Sequence, residues 1–139
     1  MEPVSEKIVY IIDDDPVYLK FMREHFKQLG GFTTEVFLQG DEAIRKIKEV
    51  KPYMVILDNH LEEPNKSGIY YLKLISKEKP RIPVIYITAD TDPKLKKTVT
   101  IIGVESYILK DSAFLVYLRA ALDDIANPKK KGFIKKIFG

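Results

Sequence analysis

A chain of 139 residues, 45% hydrophobic and 31% charged, has the size and composition of one globular domain, and no apolar run reaches the roughly 20 residues that a membrane-spanning helix needs. Of its 23 basic residues, Lys129, Lys130, Lys131, Lys135 and Lys136 follow the last acid, Asp124, leaving 18 bases against 20 acids in the body, so the overall charge of +3 comes from the end of the chain. That distribution argues against a nucleic-acid-coating domain, and the absence of cysteine excludes disulfides and thiolate metal sites.

Taken in chain order, the first apolar run is IVYII (8–12), which ends in Asp13, Asp14, Asp15 and Pro16. Asp15 before Pro16 is an N-cap and first-turn pair, and the spacing predicts a helix over 16–29 with Val17, Phe21, His25 and Leu29 on one stripe, His25 being a helix-surface residue. Gly30 and Gly31 end it. A second strand, TTEVF (33–37), leads to a helix over 40–50 capped by Asp41, with Ala43, Ile44 and Ile47 apolar. The third strand is YMVILD (53–58), followed by a helix over 67–77 capped by Ser67 and carrying Leu72 and Ile75. PVIYIT (83–88) is the fourth strand; Thr91 or Asp92, before Pro93, opens a helix over 92–102 with Leu95, Val99 and Ile102. SYILK (106–110) is the fifth strand, and Asp111 or Ser112 opens a helix over 112–126 with Leu115, Leu118 and Leu122, stopped by Asn127-Pro128.

Three of these strands are nearly continuous in aliphatic residues, as strands covered on both faces are. Strict β-α alternation then predicts an α/β domain over 1–127, a doubly wound sheet of five parallel strands joined by right-handed crossovers, with 128–139 as a basic, flexible tail. Such sheets bind ligands beyond the carboxyl ends of their strands. The polar residues there are Asp13, Asp14 and Asp15 after strand one, Asp58, Asn59 and His60 after strand three, Thr88 and Asp90 after strand four, and Lys110 after strand five. Strand two ends in Phe37-Leu38 and belongs at an edge. Carboxylates gathered in one pocket raise each other's pKa unless a cation sits among them. A hard divalent ion such as Mg²⁺ removes the conflict and leaves room for a phosphoryl group, whose other oxygens a lysine and a threonine hydroxyl can hold while one aspartate acts as nucleophile.

The set IIDDD, VILD, YITA and YILK, in this order on successive β-α units from about residue 6 to 126, resembles the receiver domain of two-component response regulators. The resemblance implies the flavodoxin-like fold of that family and a phosphorylation-dependent switch. Asp58 would take a phosphoryl group from a sensor histidine kinase or phosphotransfer protein. Asp13, Asp14, Asp58 and the backbone carbonyl of His60 would hold Mg²⁺; Lys110 and Thr88 would contact the phosphoryl group; and Tyr107 would rotate inward as Thr88 moves. His60 and Asp90 occupy positions that tune phosphoryl lifetime. The signal would leave through the surface of the fourth helix, fifth strand and fifth helix to a downstream protein, with no direct contact to nucleic acid and with a homodimer left open. Self-catalysed phosphoryl transfer and slow autodephosphorylation would be its only chemistry. Two departures stand out. Asp111 follows Lys110 where the family carries a cis-linked proline, and the loop DNHLEEPNKSG is longer by two residues, read as Glu62 and Glu63.

Two readings from other classes compete. A haloacid-dehalogenase-type phosphohydrolase also uses an aspartate, a threonine, a lysine and Mg²⁺, but in a D-x-D motif after strand one and usually with a cap domain; here Pro16 interrupts the imitation. A pseudo-receiver, an interaction module that keeps the fold without phosphorylation, draws its support from Lys110-Asp111. The tail places Phe133, Ile134, Ile137 and Phe138 at helical spacing opposite lysines, either an amphipathic hook for an acidic membrane or a partner, or a frayed end. MEPVSEK lacks the pattern of a signal peptide, and the expected location is the cytoplasm.

Overall fold

The computed structural model describes residues 7–61 and 66–128. Ten elements alternate as expected: β1 (Lys7–Ile12), α1 (Pro16–Leu29), β2 (Phe32–Phe37), α2 (Gly40–Glu49), β3 (Met54–Asp58), α3 (Gly68–Ile75), β4 (Val84–Thr88), α4 (Pro93–Ile102), β5 (Ser106–Leu109) and α5 (Phe114–Ala126). All pairings are parallel and the order is β2-β1-β3-β4-β5, with β2 at an edge as its polar-free end implied. The chain moves from β1 outward to β2 and then crosses back to β3, so the order reverses between β1 and β3, where a crevice opens at the carboxyl ends.

Every residue of β3 and β4 is buried, which is why these strands read as unbroken aliphatic runs. Alternation along the strands sorts the core into two layers. Val9, Ile11, Met54, Ile56, Ile87 and Ile108 face α1 and α5; Tyr10, Ile12, Val55, Leu57 and Tyr86 face α2, α3 and α4. The parity decides the site. The Asp13 amide donates to the Phe37 carbonyl and the Lys110 amide to the Thr88 carbonyl, so both strands stay in ladder register one residue past their ends, and Asp13, Asp58 and Lys110 fall on the α1/α5 face. Thr88 falls on the other.

Several local expectations change. The buried stripe of α1 is Leu19, Met22 and Phe26, while Val17 is 75% exposed. The stripe anticipated from Val17 and Phe21 lies about one residue around the helix, because α1 is apolar at both sets of positions and docking against β1 and β2 chooses between them. His25 is accordingly half-buried, its Nε2 without a partner. Asp15 and Asp92 cap α1 and α4 through their carboxylates. The N-cap of α2 is Gln39 rather than Asp41, whose carboxylate is drawn instead to Lys66 and Tyr71. The N-cap of α5 is Ala113, with Asp111 accepting from the Ala113 amide to form the turn before it. Glu62, Glu63 and the tail from Lys129 lie outside the described residues, so the loop extension and the hook remain expectations.

Candidate functional site

An open cleft of about 530 Å³ lies at the β1/β3 crevice, lined by Asp14, Asp15, Pro16, Asp58, His60, Ala89 and Lys110. Asp13 and Asp58 are buried at its floor, at 0% and 3% exposure, and Asp14 is partly buried. One carboxylate oxygen from each of Asp13, Asp14 and Asp58 falls within 4.8 Å of the others. Asp13 Oδ1 accepts from the Asp15 amide at 3.0 Å. Lys110 Nζ lies 2.8 Å from Asp13 Oδ2 and 3.1 Å from Asp58 Oδ1, so one ammonium bridges two buried acids.

The electrostatics follow from that crowding. Burial, then repulsion from Asp13, pushes the Asp58 carboxyl up to about 7 against the pull of Lys110. Burial alone would lower Lys110, but its hydrogen bond to Asp13 and the charge of Asp58 outweigh this and raise it. A floor with two buried carboxylates and a third at the rim, served by one ammonium, is under-neutralised, and its donors are all hard oxygens. The residues therefore fit a small divalent cation.

Backbone geometry presses the acceptor strand onto α3. Gly68 opens α3, and its amide bonds to the Asn59 carbonyl at 2.9 Å. A Cβ there would stand 2.5 Å from the Asp58 carbonyl oxygen and 2.7 Å from Asn59 Cα, so only glycine permits the approach. Asn59 in turn accepts from the Tyr86 hydroxyl, which ties the segment just after Asp58 to β4.

His60 is at the rim, its side chain 83% exposed and Nε2 3.9 Å from Asp14. Thr88 is buried, and its hydroxyl accepts from the Asp90 amide at 2.9 Å instead of lining the acid cleft. Tyr107 lies on the opposite face, stacked on Tyr86 at 6.0 Å between centroids with Lys96 over its ring. It lines a second cavity of about 410 Å³ with Asp90, Asp92, Pro93, Lys96 and Tyr117. Its hydroxyl is already buried and has no hydrogen-bond partner. Burial, then Asp90 and Asp92, hold that phenol above its ordinary value. The sole cis peptide among the described residues is Lys79-Pro80, so Lys110-Asp111 is trans, and the lysine reaches both acids without the cis bond that a proline would favour.

Two contributors were not read from the sequence: Gly68 and Tyr18, whose ring centroid lies 4.3 Å from Lys110 Nζ. Gly68 had a signal, a glycine directly after the Ser67 cap. Tyr18 had none, since its meeting with Lys110 depends on sheet parity.

Comparison with known proteins adds to this geometry. A family model described as the response regulator receiver domain matches residues 9–121. The probable C4-dicarboxylate response regulator DctR of Halalkalibacterium halodurans is 32% identical over 115 residues, 82% of this chain and 49% of that protein. Its namesake in Bacillus subtilis is 33% identical over 127 residues, 88% and 54% of the two chains. The chain thus spans about half the length of these curated relatives. Among solved structures, a CheY-like receiver domain protein from Methanospirillum hungatei superposes with a TM-score of 0.79 at 21% identity, covering 91% of this chain and 99% of that one.

Proposed function

Because this chain belongs to the response regulator receiver domain family, we propose that it is a phosphorylation-dependent switch whose acceptor is Asp58. The observation that carries the reading is the bridge of Lys110 Nζ between Asp13 and Asp58 on a floor that holds more negative charge than one ammonium offsets. In this reading Asp13, Asp14, Asp58 and the His60 carbonyl hold Mg²⁺, which would supply charge neutralisation at the phosphoryl oxygens. The donor is a phosphohistidine on a sensor kinase or phosphotransfer protein in the cytoplasm. An ionised Asp58 oxygen attacks phosphorus, the new O–P bond forms as the P–N bond breaks, and the electron pair leaves on the imidazole nitrogen, which takes a proton from water. Lys110 stays protonated throughout and faces the charge that develops.

The phosphoryl group adds about −1.5 to −2 charge and three acceptor oxygens. Among the described residues Thr88 Oγ1 only accepts, from the Asp90 amide, so its own proton is available to a phosphoryl oxygen. The space that hydroxyl vacates would admit the Tyr107 ring, and the surface of α4, β5 and α5 is the output to a downstream protein. His60 and Asp90 set how quickly water removes the group. The test is beryllofluoride with Mg²⁺, followed by NMR: shifts at Thr88 and Tyr107 that vanish in Asp58→Asn support the switch, and a spectrum indifferent to beryllofluoride refutes it.

A further inference from the structure

We infer that Tyr18 is a positioning residue for Lys110, its ring holding the ammonium against the Asp13 and Asp58 carboxylates. Lysine carries its charge on a flexible four-carbon stem, which does not by itself fix the ammonium. Three contacts fix Nζ instead: Asp13 at 2.8 Å, Asp58 at 3.1 Å and the Tyr18 ring centroid at 4.3 Å. The third differs in kind from the other two. A ring face attracts a cation without cancelling its charge, so Lys110 keeps its charge for an arriving phosphoryl group.

The ring is itself held. Tyr18 meets Phe114 edge-on, at 5.4 Å and 79°, and Phe21 at 5.4 Å, while the Phe114 amide bonds back to the Asp111 carbonyl. The turn that follows Lys110 and the ring that receives its ammonium are therefore parts of one packed unit at the head of α1 and α5. Burial, then Asp13 and Asp58, push the Tyr18 phenol up to about 12, which keeps the ring neutral.

The inference rests on the receiver reading for its consequence but not for its geometry, and the experiment separates the two. In the full chain, the ε-methylene protons of Lys110 should lie upfield of the other lysines through the Tyr18 ring current, remain so in Tyr18→Phe, and return to the ordinary position in Tyr18→Leu and Tyr18→Met. With acetyl phosphate and Mg²⁺, Tyr18→Leu should be phosphorylated about fivefold more slowly, the order expected for one such contact, with Tyr18→Phe restoring the rate and Tyr18→Leu adding nothing in a Lys110→Ala background. Core methyl shifts report folding, and Tyr18→Met provides a second test if Tyr18→Leu perturbs the seam. A Lys110 signal that ignores loss of the ring, or a Tyr18→Phe variant as slow as Tyr18→Leu, overturns the inference. A wild-type chain that takes no phosphoryl group while its Lys110 signal follows the ring overturns the receiver reading instead, and with it the rate effect.

Discussion

The two faces of the sheet hold their polar groups on opposite terms. Towards α1 and α5, the carboxyl groups of Asp13 and Asp58 are almost wholly buried and tied to Lys110. Towards α4, Thr88, Tyr86 and Tyr107 are neutral, the Tyr107 hydroxyl has no partner, and α4 itself buries only Val99. Buried charges must be held rigidly by partners, because each is costly when unpaired. Neutral hydroxyls under a lightly packed helix can change partners at small cost, which suits a region that responds. In the proposed switch, chemistry and response would thus be separated by strand parity, across the thickness of a single β-strand layer.

The largest expected break in this contrast comes from Asp58→Asn. It should abolish phosphorylation by acetyl phosphate, and it should also stabilise the metal-free domain. The sign follows from the raised carboxyl: its folded value, about 7, exceeds the ordinary 3.8, so its contribution to stability is full below the ordinary value and declines as pH rises towards 7. Melting curves without metal should show Asp58→Asn gaining on wild type from about pH 4 to about pH 7 and no further above that, and Mg²⁺ should recover the loss only in wild type. Parallel pH dependence in the two proteins would mean that the floor is not strained by charge.

Next in size is Gly68→Ala, which drives a methyl into backbone atoms. Urea unfolding should show a loss of about 1–3 kcal/mol, larger than for any exposed position on α4. On the responsive face, Tyr107→Phe removes a buried hydroxyl that has no partner and should leave stability unchanged or raise it by about 1 kcal/mol; a clear loss in the same assay would reveal a partner for that hydroxyl and weaken the contrast. Smallest of all in folding terms are His60→Ala and Asp90→Ala, at exposed positions. Each should alter the decay of the phosphorylated protein severalfold with the melting point unmoved, as followed by intact mass over time.

The order of elements was legible because β3 and β4 are continuous apolar runs punctuated by Asp15-Pro16, Asp92-Pro93 and Gly30, all signals local in sequence. The four strand ends that carry Asp13, Asp58, Thr88 and Lys110 were legible for the same reason. What escaped depends on packing at long range. The face that α1 buries is chosen by β1 and β2, Asp41 is diverted from capping by Lys66 and Tyr71, and Tyr18 reaches Lys110 only because residues 13, 58 and 110 share one face of the sheet.

The central claim is that buried acids at the β1/β3 crevice hold a dication that lets Asp58 accept phosphorus. Site-mapped mass spectrometry after acetyl phosphate treatment, with Mg²⁺ and with a chelator, tests it most directly. One phosphoryl group on Asp58 that forms only with the metal is the expected result; modification at another residue, or equal modification in the chelator, would contradict it.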